Sequence, residues 1–246
     1  MYCFYINGVG ITASFRVPET HTFHQTLPLP PRTTLIGLMG AALGLSLEKA
    51  HEFAKKSNIL VSVSGSHKGM MKDLWNYRKV TNKEITPEKM KKREHYSVLT
   101  REYLVYPEFT FVYASENKAE LEKVWKSFHS PVYALTAGNS DDLLKIRDIS
   151  EIEEVEQKEV NFFSNTVLPG NLSDKCKYDV KSLLKDKPIT YSLKMPEVFT
   201  LPTDFAFNGE IRSGIKKEAF TFVSSQVNLE EPLQGYLIGD QNYILY

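Results

Sequence analysis

From residue 2 to 9, bulky apolar side chains alternate with smaller ones and end on Asn7-Gly8, the period-two pattern of a central strand running into a turn. The stretch LPLPP at residues 27–31 cannot be helix interior, because proline lacks the amide donor and drives the preceding residue toward extended geometry. Thr33 or Thr34 then caps a predicted helix over residues 34–56, whose Gly37, Gly40, Ala41 and Gly44 form a small-residue face. Each interior glycine costs about 1 kcal/mol relative to alanine, so close packing must compensate. ILVSVS at residues 59–64 reads as a strand, and REYLVYPEFTFVYAS at 101–115 as one longer strand with a bulge or edge at Pro107. Residues 118–128 supply an amphipathic helix, residues 132–135 a further strand, and residues 136–140 (TAGNS) a turn.

The order strand, helix, strand, strand, helix, strand is that of the ferredoxin-like folds used in RNA recognition, so the expected class is α+β. The 36 residues between the second and third strands, 65–100, form a long insertion. Beyond residue 150 the pattern changes to short β-like runs at 153–163, 190–198, 218–225, 235–238 and 243–245. A first domain over residues 1–150 and a smaller, mostly β unit over 151–246 are therefore expected, with 169–188 as a polar loop.

The 246 residues carry 30 Lys+Arg against 30 Asp+Glu, so binding to nucleic acid or anionic lipid has to come from local patches rather than net charge. Cys3 and Cys176 lie far apart, which argues against a zinc module or disulfide framework and fits a reducing compartment. The first ten residues lack the basic start of a signal peptide, and the longest uncharged helical stretch, 33–47, is too short to span a bilayer. The expectation is a soluble cytoplasmic protein with no membrane partner, no metal and no cofactor.

Charge is instead polarised along the chain. From Gly65 to Arg101 ten basic residues face four acidic ones, an excess of six. Arg78, Lys79, Arg93 and Arg101 are interleaved there with Trp75, Tyr77, His95 and Tyr96. Cations for phosphates beside flat rings for splayed bases suit single-stranded RNA, and the competing reading is a solvated loop. Residues 141–159 carry the compensating acidic cluster, readable as a solvated face or as a surface for a basic partner.

Other motifs dissolve in context. Gly8-Val9-Gly10-Ile11-Thr12-Ala13 matches GxGxxA, but no helix starts at those glycines and no acidic residue follows at the ribose position. His21 and His24 lack the third and fourth ligands of a metal site. Arg16 and Arg32 frame the loop before the glycine-bearing helix, whose amides and hydroxyls at Thr33 and Thr34 suit a phosphate. Gly138-Asn139-Ser140 reads either as a site of close backbone approach or as a plain reverse turn. Arg212, in FNGEIRSG, is a further nucleic-acid contact candidate.

Taken together, ASFR with Pro18, TLPLPPRTTLIGLMGAALG at 26–44, LTREYLVYPEFTF at 99–111 and LTAGNSDDLLKI at 135–146 resemble the fifth-numbered CRISPR-associated protein family of the repeat-associated mysterious protein superfamily. The resemblance implies a ferredoxin-like domain with a thumb insertion, acting in type I Cascade and capping the 5′ handle of the CRISPR RNA. It implies the backbone and large subunits of Cascade as partners, and target DNA in the assembled complex. Some members cut precursor RNA without metal through tyrosine, lysine and histidine. The helix at 34–47 contains none of these residues, so the expectation is a non-catalytic RNA-binding subunit, with a metal-independent endoribonuclease as the alternative.

Overall fold

The computed structural model describes residues 1–20, 23–78, 96–178, 195–208 and 211–246. It is a mixed α/β structure built mostly of strands: β1 (Tyr2–Gly10), β2 (Thr12–Ala13), β3 (Phe23–His24), α1 (Arg32–Leu43), α2 (Leu47–Lys56), β4 (Leu60–Ser66), β5 (Gly69–Arg78), β6 (Tyr96–Val105), β7 (Glu108–Ser115), α3 (Lys118–His129), β8 (Leu144–Ile149), β9 (Glu153–Glu154), β10 (Lys158–Pro169), β11 (Cys176–Lys177), β12 (Glu197–Asn208), β13 (Ile211–Ile238) and β14 (Gln241–Tyr243). Ten strands form one sheet in the order β11-β13-β10-β4-β7-β1-β8, with β12 and β14 on β13 and β9 on β1. A second sheet, β2-β6-β3 with β5 on β6, carries the insertion.

Alternation along β1 explains the core. Phe4 and Ile6 face the helices, where Phe4 stacks on Tyr113 at 5.6 Å and meets Phe128 of α3 edge-on at 6.3 Å. The Tyr113 hydroxyl donates to Leu35 O of α1 at 2.9 Å, so the buried phenol has a partner. Each such fully buried ring contributes roughly 2–3 kcal/mol. The opposite face, through Cys3, Val112 and Ala114, is covered by Ile238 and Tyr243.

Several expectations change. Asn7-Gly8 is not a turn: β1 runs through it, because Gly8 lets the ring of Phe111 and the side chain of Leu144 pass where a Cβ would come within 2.9 and 3.2 Å. The single helix over 34–56 is two. Gly44 ends α1 at φ 73°, and Ser46 caps α2 by accepting from Lys49 N. The cap of α1 is Pro31 rather than either threonine. The strand over 101–115 is split between the two sheets, broken where Tyr106 takes φ 47° ahead of Pro107.

Residues 132–135 are no strand. The amides of Val132 and Tyr133 instead donate to Ala42 O and Ala41 O, satisfying carbonyls at the end of α1, and β8 takes the fourth place in the body. The runs expected at 218–225 and 235–238 are parts of one 28-residue strand, β13, and of the run expected at 190–198 the described strand residues, Glu197 and Val198, open β12, which continues to Asn208, while 190–194 lie outside the described residues. Within the expected loop over 169–188, Cys176 and Lys177 pair with Leu229 and Asn228. The later strands join the first sheet through Thr166 opposite Ser64, and the backbones of Val61 and Tyr246 exchange two hydrogen bonds at 3.1 Å.

Candidate nucleic-acid interface

A cleft of about 620 Å³ opens where four distant segments meet: the loop after β2, the first turns of α1, the turn at 136–139, and the distal parts of β12 and β13. The loop is pinned from inside, with Ser14 N donating to Ala137 O at 3.0 Å and Phe15 N to Thr26 Oγ1 at 2.8 Å. Arg16 is left on the exposed rim, where Nε and Nη2 donate to Thr20 O at 3.2 and 2.9 Å. Lys217 ties the β13 side to the same loop through Glu19 at 3.7 Å.

Thr33 and Thr34, the residues expected at the helix start, line the cleft. No side chain caps this end and its first turn holds no acidic residue, so the positive pole of α1 faces no built-in anion there. One turn on, Gly37 forms part of the wall, and a Cβ added to it would meet nothing within 4 Å. The glycine therefore keeps space open rather than admitting a neighbour.

Gly138 also lines the cleft, but what approaches it closely is the chain itself. Its φ is 110°, and a Cβ would fall 1.9 Å from Ser14 O. Asn139 lines the cleft too, its Nδ2 donating to Asp142 at 3.1 Å. Asp142, expected among solvated acids, is buried and also accepts from Thr12 Oγ1, so the turn is folded around a carboxylate. Ser140 is exposed and donates to Asp141 at 2.9 Å, outside the cleft.

Arg212 reaches the cleft and lies 5.3 Å from the ring of Phe205. Phe205 was not expected from the sequence; its signal is the alternation Phe205-Ala206-Phe207 across from Arg212 in the register of β12 and β13. Arg32 is the predicted residue that the fold takes elsewhere. Its Nη1 donates to Thr203 O at 3.0 Å in a different cavity.

The insertion contributes a second surface. β5 and β6 pair antiparallel from Gly69 opposite Val105 to Arg78 opposite Tyr96. Lys79, Arg93 and His95 lie outside the described residues, as does His21. Trp75 and Tyr77 stack at 5.5 Å, and Trp75 remains 40% exposed. Arg101 is only 8% exposed, its guanidinium 4.1 Å from the Trp75 ring and 5.0 Å from that of Tyr103. The arginine thus backs the aromatic surface from within rather than presenting charge on it. On the other face of the hairpin, Leu74 and Val98 are 72% and 61% exposed, an apolar feature that charge counting overlooked.

Among the described residues no group of three or more His, Cys, Asp or Glu is placed to hold a metal ion, and no helix is long and apolar enough to cross a membrane.

The family model described as CRISPR-associated protein (Cas_Cas5) matches residues 9–189. A chain of a solved "CRISPR RNA-guided surveillance complex" is similar in fold, with TM-score 0.54 and 14% identity over 94% of this chain and 91% of that one. A CRISPR protein from Archaeoglobus fulgidus is similar at TM-score 0.53 and 13% identity, over 98% of both chains. Comparison with curated proteins gives no match.

Proposed function

The chain belongs to the CRISPR-associated Cas5 family, and from that premise we propose that it is a non-catalytic RNA-binding subunit of a type I Cascade complex that caps the 5′ handle of the CRISPR RNA. The body order β1, α1, β4, β7, α3, β8, with β4-β7-β1-β8 adjacent and antiparallel, supports a ferredoxin-like reading of residues 1–150. The β5–β6 hairpin is the thumb, and the mostly β unit after residue 150 supplies the far wall of the cleft. The setting is cytoplasmic. The backbone and large subunits are the protein partners, with target DNA present in the assembled complex.

One observation carries this reading: Arg16, Thr33, Gly138 and Arg212, scattered over the sequence, line one cleft. Two exposed guanidiniums, hydroxyls at a helix start and an aromatic ring form a surface for phosphates and one unstacked base. The described lining is apolar, hydroxyl, amide and arginine side chains, without a group that exchanges protons near neutrality, which favours holding RNA over cutting it.

The test is a salt titration of the full chain on labelled repeat-derived RNA in EDTA. Binding weakens with salt, and Arg16→Ala with Arg212→Ala lowers both affinity and the salt slope, by roughly 1.4 for two single-strand phosphate contacts, whereas Lys118→Ala changes neither. Salt-independent binding, or equal effects from both variants, overturns the assignment. Cleavage at a single position replaces it with the metal-independent endoribonuclease.

A further inference from the structure

A second cavity, of about 370 Å³, lies between the start of α1, α2, β12 and β13 and shares no described lining residue with the cleft. Its charges do not cancel. Lys55 pairs with Asp204 at 3.8 Å and Lys216 with Glu218 at 2.9 Å, leaving the positive charge of Arg32 over. The one hydrogen bond described for Arg32 goes to a neutral acceptor, Thr203 O. Two further polar atoms of lining residues, His51 Nε2 and Tyr246 Oη, are buried with no hydrogen-bond partner among the described residues, and His51 is 7% exposed. Leaving such a group unpaired is normally destabilising, and both residues border this one space, so a ligand that accepts from them there would relieve the cost.

We propose that this cavity is a binding site for a protonated phosphate, free or at the end of a nucleotide chain, held by Arg32, His51 and Tyr246. A guanidinium fork, a phenol and an imidazole N–H donate to three directions of a tetrahedral oxyanion. The carboxylates of Asp204 and Glu218 in the same lining accept the proton of a P–OH group, which sulfate lacks at neutral pH. The volume suits a phosphate group with a few waters and excludes a folded-in RNA segment. Burial, then the charge of Arg32, lowers the pKa of His51, so the imidazole is neutral at pH 7 and has one N–H to give.

Thermal unfolding of the full chain tests this independently of RNA binding. Phosphate raises the Tm saturably, by roughly 3–6 °C at ten times its dissociation constant, while sulfate and chloride at matched ionic strength do not. Tyr246→Phe and His51→Gln lose most of that increment. Tyr246→Phe also unfolds at or above the wild-type Tm in phosphate-free buffer, since it removes an unpaired hydroxyl, which shows that the variant is folded. A response to sulfate equal to that to phosphate, or a full phosphate response in Tyr246→Phe, overturns the proposal. A 5′-phosphorylated tetranucleotide that narrows the broadened phosphorus resonance of inorganic phosphate, where its 5′-hydroxyl form does not, identifies a chain terminus as the source. Equal behaviour of the two oligonucleotides identifies the free ion.

Discussion

The cleft and the β5–β6 hairpin are both candidate RNA surfaces, yet they are made in opposite ways. The hairpin is local: Trp75, Tyr77, Arg101 and Tyr103 come from two paired strands, and their contacts follow from alternation and register. The cleft is assembled from residues up to 198 positions apart, Ser14 to Arg212, and its frame joins backbone hydrogen bonds such as Ser14 N to Ala137 O with side-chain ties from Arg16, Thr26 and Asn139. A surface of the first kind can fray without disturbing the body, whereas the second stands or falls with the body's packing.

That contrast breaks most sharply at Gly138. Gly138→Val puts a branched side chain at φ 110° against Ser14 O, and the expected loss of stability is roughly 3 kcal/mol or more, read as a fall in the denaturant midpoint. A neutral outcome means that the cleft's frame yields and is not set by the backbone. Next in size is Arg101→Ala. It removes the cation beneath two rings at a cost of about 1–2 kcal/mol, expressed as faster amide exchange confined to β5 and β6. Exchange rising equally through β1 and β7 means that the hairpin is not a separate unit. The smallest effect is expected at Gly37→Ala, which sharpens the comparison because stability and binding part company there. The helix gains about 1 kcal/mol, so the Tm rises, while the new methyl narrows the cleft and weakens RNA binding.

The same contrast explains what was legible beforehand. The ring-rich insertion and the glycines of α1 announce themselves through local composition. The cation of Arg101 was visible, but its burial was not, because that depends on which face of a sheet it shares with Trp75. Thr33 and Arg32 are neighbours in sequence, and placing both at one phosphate overlooks the 100° between successive helical side chains. That rotation sends Thr33 to the cleft and Arg32 to Thr203. Phe205 was hidden because its role requires β12 to fold back beside a helix more than 150 residues earlier. The strand imagined at 132–135 failed for a complementary reason: its amides have better acceptors at the unsatisfied end of α1.

The length of β13 has a mechanical corollary. At about 3.3 Å per residue, 28 residues drawn straight would reach roughly 90 Å, about twice the width of a protein this size. The strand does not keep one unbroken ladder: its pairings with β10 and β12 slip register beside Val160, Ser164 and Asp204, and such slips are the joints at which a strand bends. Arg212 at one extremity and Ile238 at the other are therefore ends of a single bent spring. Removing the joint beside Val160 or Ser164 would alter the aim of the arginine without touching a single residue around it.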